Sequence, residues 1–464
     1  MSAILLCVFA FAATLWAAKR SIGLGLLAVA AVGYSYGILR ANFQHPASHF
    51  IFDASLTGLY LAYGSRFFDQ TDRGRNSTLR VWTAVLIAWP CLVCLLPFQP
   101  LMVSIVGLRG SIFFLPILLI GCRLKDKDLR ELTLGLAVLN VVAVGFGIAE
   151  YFRGIEPYFP RSAVTYIMYA SGDVAGGHFR IPSVFSSAAA YAGTMVVTMP
   201  YLFGAWSQPH GKSSAKLILL LGMLAAFAGV LLASTRLNFI FALYLILVVT
   251  LTTKLSARKR LLWGLTIVAI AALALTNERF QRFKSLDSEL IMERAAGSVN
   301  RSFVELLLEY PMGNGLGGGG TSTPYFLQGL VRNPIGIENE YGRILCEQGI
   351  IGLLLWIGFI GWCAVRRTPF MPHPWLATRR LLWFCYMFFF LTAALGTGAL
   401  TGIPSTFFLL LGIGWTMVVP VEERSVRQFA AVQRNKIPGL VGVSREQRFT
   451  AGGSYPARHP AEGF

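Results

Sequence analysis

Three arginines stand where an apolar chain seldom tolerates a charge. Arg109 interrupts VGLRGSIFF, Arg180 sits in HFRIPSVF, and Arg236 sits in the short turn STRLNF. Asp53 falls in a similar apolar run, HFIFDASL. An ionisable group within or beside a membrane span is expensive, so each of these is a candidate site. Lone arginines also snorkel, with the stem along lipid and the head among headgroups. The sharper chemistry is a shared anion site. A guanidinium keeps its charge at any working pH and grips a diphosphate bidentately. Several of them converging at one membrane face would suit a lipid-linked phosphate.

A second cluster lies in NPIGIENEYGRILCEQGIIGLLLWIGF. Pro334 and Gly336 lead into a predicted helix. Gly342, Cys346 and Gly349 form a small-residue stripe that predicts close approach by another helix. Glu338 lies one turn before Gly342, at the top of that stripe, where a carboxylate would face the mouth of the bundle. The plainer alternative is an interfacial acid beside the positive end of a helix. Other motifs carry less. Asp126-Lys127-Asp128 spells DxD, but in RLKDKDLR charge-balanced solvation of a basic loop accounts for it. Cys91 and Cys94 spell CxxC within PCLVCLL, where packing of small apolar groups accounts for them. The chain has no HExxH or Walker motif and no serine-hydrolase elbow.

The elements that must position these residues follow from composition. The chain has 464 residues, is 55% hydrophobic and only 13% charged, and has a mean hydropathy of +0.60. Soluble domains carry about 25% charged residues. This composition excludes an ordinary soluble globule and a disordered chain, and leaves an all-α, polytopic membrane bundle. Spans of about 20 apolar residues are predicted at 3–18, 22–39, 49–64, 81–98, 101–122, 131–150, 185–205, 216–234, 237–253, 261–276, 347–365, 381–396 and 404–420, which gives 12–13 transmembrane helices.

The surplus of 18 positive charges falls in alternate loops. Lys19 and Arg20, the group Arg123 to Arg130, and Arg366, Arg367, Arg379 and Arg380 are examples. The positive-inside rule makes these loops cytoplasmic and puts the N-terminus outside, as for a retained first span. Nucleic acid is not needed to explain the charge. Two outer loops are long, 151–184 and 277–345. The second predicts an amphipathic helix with Val299, Phe303, Leu307 and Tyr310 on one face and an Arg301–Glu305 pair. Pro311 ends it, and a glycine-rich stretch follows. Residues 1–420 thus read as one membrane domain that includes the loop 277–345. Residues 421–464 read as a basic, mostly disordered cytoplasmic tail. No repeat relates the two halves.

At this point the chain resembles the O-antigen ligase and O-antigen polymerase superfamily, whose ligases carry His-Asn, nine residues, then GxxG. Here Glu338-Asn339, nine residues and Gly349-Ile350-Ile351-Gly352 match that spacing. EYPMGNGLGGGG resembles the family's Pro-x-x-Gly-x-Gly segment. STR with Arg236 resembles its Ser-x-Arg turn, and Arg180 resembles the arginine before its middle spans. The GLR that contains Arg109 is similar too. The departure is that glutamate stands where the family has histidine.

The resemblance implies a GT-C-like bundle with one large periplasmic loop in a bacterial inner membrane. It implies metal-independent, cofactor-free, inverting transfer of a glycan from an undecaprenyl-diphosphate-linked oligosaccharide. Arg180 and Arg236, with Arg109, would bind the diphosphate. Glu338 would be the general base, or Glu340 or Tyr341 would be involved instead, with Asn339 alongside. Arg301 and Arg343 would orient the carboxylate or the substrate. The acceptor would be a growing exopolysaccharide or O-antigen, or a lipid A core, with a chain-length regulator as partner in the polymerase case. The missing histidine tilts the reading toward a polymerase. A transporter or flippase, or a non-catalytic envelope-glycan assembly protein, would also explain intramembrane arginines. The transporter reading leaves the long loop and the spaced Glu-Asn and GxxG unexplained.

Overall fold

The computed structural model describes residues 1–67, 77–170, 179–208, 213–252, 264–265, 302–319, 323–337, 339–366, 375–396 and 398–417. Its elements are α1 (Ser2–Arg20), α2 (Ile22–Asn42), α3 (Ile51–Phe67), α4 (Ser77–Cys94), α5 (Leu101–Ile112), α6 (Ile117–Gly121), α7 (Asp126–Arg153) and α8 (Tyr166–Ala170). Then come α9 (Ala188–Trp206), α10 (Ser213–Ala233), α11 (Arg236–Thr252), α12 (Ser302–Glu309), α13 (Glu340–Val365), α14 (Leu376–Thr392) and α15 (Ser405–Thr416). Pro46–Phe50 and Tyr325–Leu330 are 3-10 turns. No strand occurs among the described residues. Among the described residues α1, α2, α4, α7, α10 and α13, and the run Leu101–Gly121 that holds α5 and α6, are long and apolar enough to cross a membrane.

Every predicted span except 261–276 coincides with a helix. That span lies outside the described residues apart from 264–265, and so does the tail 421–464. The fifth span differs from expectation. Its helix breaks at 113–116, where Pro116 cannot continue the hydrogen-bond ladder, and resumes as α6. The loop helix α12 spans only Ser302–Glu309, yet Phe303, Leu307 and Tyr310 pack on the core as expected. Val299 and Arg301 lie outside the described residues.

Local chemistry sets the helix starts. Ser21 Oγ accepts from Leu24 N at 3.0 Å and caps α2, and Ser187 Oγ accepts from Ala190 N at 3.1 Å and caps α9. The DxD acids open α7, with Asp128 Oδ2 accepting from Lys125 N at 3.2 Å. Polar groups tie helices together in the apolar interior. Tyr34 Oη donates to Asn140 Oδ1 at 2.5 Å, and Asn140 Nδ2 donates to Thr198 Oγ1 at 3.1 Å, which joins α2, α7 and α9. An aromatic layer of Tyr34, Phe52, Phe114, Phe185, Phe407 and Phe408 links α2, α3, the 113–116 turn and α15. All seven cysteines are free thiols.

The small-residue stripe on α13 receives a loop, not a helix. Gly349 adopts φ +69° and kinks α13, and the backbone of Pro311 and Met312 packs against it. Ile350 N donates to Pro311 O at 3.0 Å, and Asn314 N donates to Cys346 O at 2.6 Å. A side chain at Gly349 would strain the backbone and meet Met312, so glycine is required twice over. The PMGNG segment and the GxxG segment are therefore the two sides of one contact.

Candidate functional site

A cavity of about 970 Å³ opens among the helices. This is the upper end of the ~300–1,000 Å³ usual for small-molecule sites, with room for more than a single sugar ring. Arg109, Arg180 and Arg236, far apart in the chain, all line it. The lining comes from one end of each helix. It takes the C-terminal ends of α2 and α14, and the N-terminal ends of α9, α11 and α15. The basic residues Lys19, Arg20, Lys125, Arg366 and Arg379 sit at or beside the opposite ends of α1, α7, α13 and α14.

Two strained turns present two of the arginines. Ser183, three residues after Arg180, has φ +53°, and Ser234, two residues before Arg236, has φ +50°. Non-glycine residues seldom adopt this region, and the cost is met only where surrounding contacts over-determine the backbone. They do so here. Ser183 N donates to the buried Glu150 at 2.8 Å, Ser183 Oγ donates to Ala143 O at 2.6 Å, and Ser234 Oγ donates to Leu231 O at 3.1 Å. The segment carrying Arg180 also lies directly on α2. Ile38 N donates to Val184 O at 3.0 Å, and the Phe185 backbone occupies the space a side chain at position 37 would need.

Arg109 reaches the same cavity but is paired locally. Its Nη2 lies 2.7 Å from Asp53 Oδ2, so this cation is largely neutralised before any ligand arrives. Two further residues, missed in the sequence, belong to this wall. Arg40 lies in the last turn of α2, and its Nη2 reaches Val164 O at 3.5 Å. His49 sits in the 3-10 turn before α3. Its carbonyl accepts from Tyr36 Oη at 3.2 Å, and its ring faces Tyr325 and Phe326, with centroids 5.7 and 5.5 Å away. Burial, reinforced by the Arg40 and Arg109 guanidiniums, pushes the imidazole down to about 3, so it is neutral at working pH.

The α13 residues divide differently from expectation. Glu338 and Arg301 lie outside the described residues. Asn339 is the N-cap of α13, with its side chain accepting from Gly342 N, which is a structural task. Tyr341 Oη donates to Phe390 O at 2.6 Å and ties α13 to α14.

Arg343 does not line the cavity. It is 2% exposed and bridges Glu340 and Glu347, with Nη2 to Glu340 Oε1 and Nη1 to Glu347 Oε2 both at 2.6 Å. The other Glu340 oxygen accepts from Gly398 N at 2.8 Å and Ala399 N at 3.1 Å. Gly398 and Ala399 do line the cavity, so Glu340 and Arg343 hold its wall from behind. The i,i+3 and i,i+4 spacing was visible in the sequence, whereas the full burial was not.

The described part of the long loop is pinned across the α4–α5 turn. Gln99 Nε2 donates to Asn314 O at 2.8 Å and Arg332 O at 2.9 Å, and Gln99 Oε1 accepts from Arg332 N at 2.9 Å. This anchor brings Tyr325 and Gln328 to the cavity.

Fold and site together define a bundle that has no strand among the described residues, helices long and apolar enough to cross a membrane, and an arginine-rich cavity at one end. No protein-family model matches the chain, and no curated protein matches it significantly.

Proposed function

We propose that this chain transfers a glycan from a lipid-linked diphosphate to a second sugar at the outer face of a bacterial inner membrane, as a polymerase of the O-antigen ligase and polymerase class. The observation that carries this is the convergence of Arg180 and Arg236 on one cavity with the N-terminal ends of α9, α11 and α15. Helix N-termini and guanidiniums both favour negative charge, and together they make a preorganised anion site. Arg109 shares the cavity, but Asp53 takes up its charge. Arg180 and Arg236 are the proposed diphosphate ligands, with Arg109 held mainly by Asp53.

In the reaction, the acceptor hydroxyl oxygen bonds to the anomeric carbon as the bond from that carbon to the diphosphate oxygen breaks. A single displacement inverts the centre. The leaving diphosphate gains one negative charge, which the guanidiniums and helix ends stabilise. Glu338 is the proposed acceptor of the hydroxyl proton, a role worth about 10²–10⁴-fold. Its support is local. The next helix begins against the cavity wall, with Glu340 N donating to Ala393 O at 2.9 Å, and Ala393 lines the cavity.

The test is transfer by full-length protein in nanodiscs supplied with undecaprenyl-diphosphate-linked oligosaccharide. Glu338→Gln should abolish product while binding of undecaprenyl diphosphate persists, and Arg236→Gln should weaken that binding. Normal transfer by either variant would refute its assigned role. A flippase reading has one observation in its favour, the broken α5–α6 helix beside the cavity. Movement of the lipid-linked oligosaccharide across liposomes without glycan transfer would select it.

A further inference from the structure

One wall of the cavity has chemistry that a diphosphate does not call for. It is built by α2, the 3-10 turn before α3, α5 and the 3-10 turn of the long loop, and it carries Arg40, His49, Arg109, Tyr325 and Gln328. We propose that Arg40, His49 and Arg109 form a carboxylate-binding subsite, so that the transferred or accepting glycan contains an acidic sugar. The identification of the ligand as a glycan rests on the transfer reading above.

Charge is the first argument. Arg109 is paired with Asp53 at 2.7 Å. Arg40 has no carboxylate partner among the described residues; its contacts are the Val164 carbonyl at 3.5 Å and the Tyr36 ring at 5.5 Å. Two guanidiniums less one carboxylate leave this wall one positive charge. A diphosphate diester carries two negative charges, and a sugar carboxylate carries one.

Unused hydrogen-bonding capacity is the second argument. His49 is only 6% exposed, and its Nε2 has no partner among the described residues. The Nε atoms of Arg40 and Arg109 are likewise buried without a hydrogen bond. Buried polar groups are nearly always satisfied, so three on one cavity wall mark a place that a polar ligand fills. A carboxylate accepts from both guanidiniums, and the neutral imidazole bonds a neighbouring hydroxyl.

The third argument is shape. Tyr325 presents an aromatic ring and Gln328 an amide on the same wall, the apolar-plus-polar pairing that suits the faces and hydroxyls of a pyranose. The groups facing His49 are Arg40 and Tyr36 on α2, Asp53 on α3, Arg109 on α5, and Tyr325 and Phe326 on the loop turn. Burial first, and the guanidiniums second, keep the imidazole neutral.

The experiment is calorimetric titration of full-length protein in nanodiscs with sodium glucuronate, with glucose as the neutral control and undecaprenyl diphosphate as the second arm. Glucuronate should bind and glucose should not, with glucuronate affinity flat from pH 5 to 8. Arg40→Gln and His49→Phe should each weaken glucuronate about 10-fold or more while changing undecaprenyl diphosphate less than about two-fold. Arg40→Lys keeps the charge and should retain most of the affinity, which guards against a folding artefact. Arg236→Gln should show the reverse pattern. Equal binding of glucose and glucuronate would overturn the subsite, as would unchanged glucuronate affinity in Arg40→Gln. Loss of undecaprenyl diphosphate in parallel with glucuronate would overturn it too, by assigning Arg40 to the diphosphate. If undecaprenyl diphosphate fails to bind the unsubstituted protein, the transfer reading falls, while the glucuronate arm still decides the carboxylate subsite.

Discussion

Replacing Arg343 with methionine should destabilise the fold and loosen the wall of the cavity from behind, without removing a group that touches the ligand. In the native chain this guanidinium donates from Nε and Nη2 to Glu340 at 2.9 and 2.6 Å and from Nη1 to Glu347 at 2.6 Å. Glu340 and Glu347 are fully buried. Methionine fills much of the same volume but leaves both carboxylates without their cation. Removing one partner of a buried pair costs about 3–5 kcal/mol, and two orphaned carboxylates put Arg343→Met at or above the upper end. Glu340 also holds the amides of Gly398 and Ala399, so the loss should reach the cavity lining. Arg343→Lys keeps the charge, loses the fork and should cost less.

Unfolding of the protein in lipid nanodiscs measures the stability. Hydrogen exchange at the Gly398 and Ala399 amides measures the wall and should quicken in Arg343→Met. An Arg343→Met protein within about 1 kcal/mol of the parent, with those amides still protected, would refute the structural role, because that is the span of an ordinary surface change. Full stability with lost undecaprenyl diphosphate binding would refute it from the other side and make Arg343 a ligand contact.

Other outcomes follow from single contacts. Gly37→Ala would set a Cβ 1.9 Å from the Phe185 carbonyl carbon, which is backbone and cannot swing away. The variant should lose about 1–3 kcal/mol and, through the displaced Arg180 segment, bind undecaprenyl diphosphate at least about 10-fold more weakly; calorimetry reads the second effect. The neutral His49 predicts a pH dependence of stability. Its folded value is about 3, against about 6.5 in an unfolded chain. The unfolded state therefore binds the proton first, and stability falls by up to about 1.4 kcal/mol per unit as pH drops from 6.5 toward 3. Thermal midpoints across that window should lose this slope in His49→Phe. Gln99→Ala removes both clasps on the long loop and should cost about 1–3 kcal/mol, seen as faster exchange at the Arg332 amide, whose acceptor is Gln99 Oε1.

Much of the fold was legible because it depends on local runs. Apolar stretches long enough to span a bilayer must be helical, since only a helix satisfies its own backbone there. The caps at Ser21, Ser187 and Asn339 are likewise short-range. Arg109, Arg180 and Arg236 were legible because charge in an apolar setting is costly wherever the chain goes. Arg40 and His49 were not, because at the end of a span a basic residue or a histidine looks like any interfacial group. The burial of Arg343 was not legible for a related reason. Its spacing to Glu340 and Glu347 describes a solvated helix face as well as it describes a sealed triad.

The amino-acid sequence determined that this chain is helical, apolar enough to enter a membrane, and armed with arginines out of place, because each of these depends on residues within one helix length of each other. Only the tertiary structure decided which helix ends meet. That choice paired Arg109 with Asp53, turned Arg343 inward behind the cavity wall, and gathered Arg40, His49 and the loop aromatics into one surface. The physical reason is that contacts between distant segments are selected by the packing of whole helices, and no local pattern records which neighbours that packing provides.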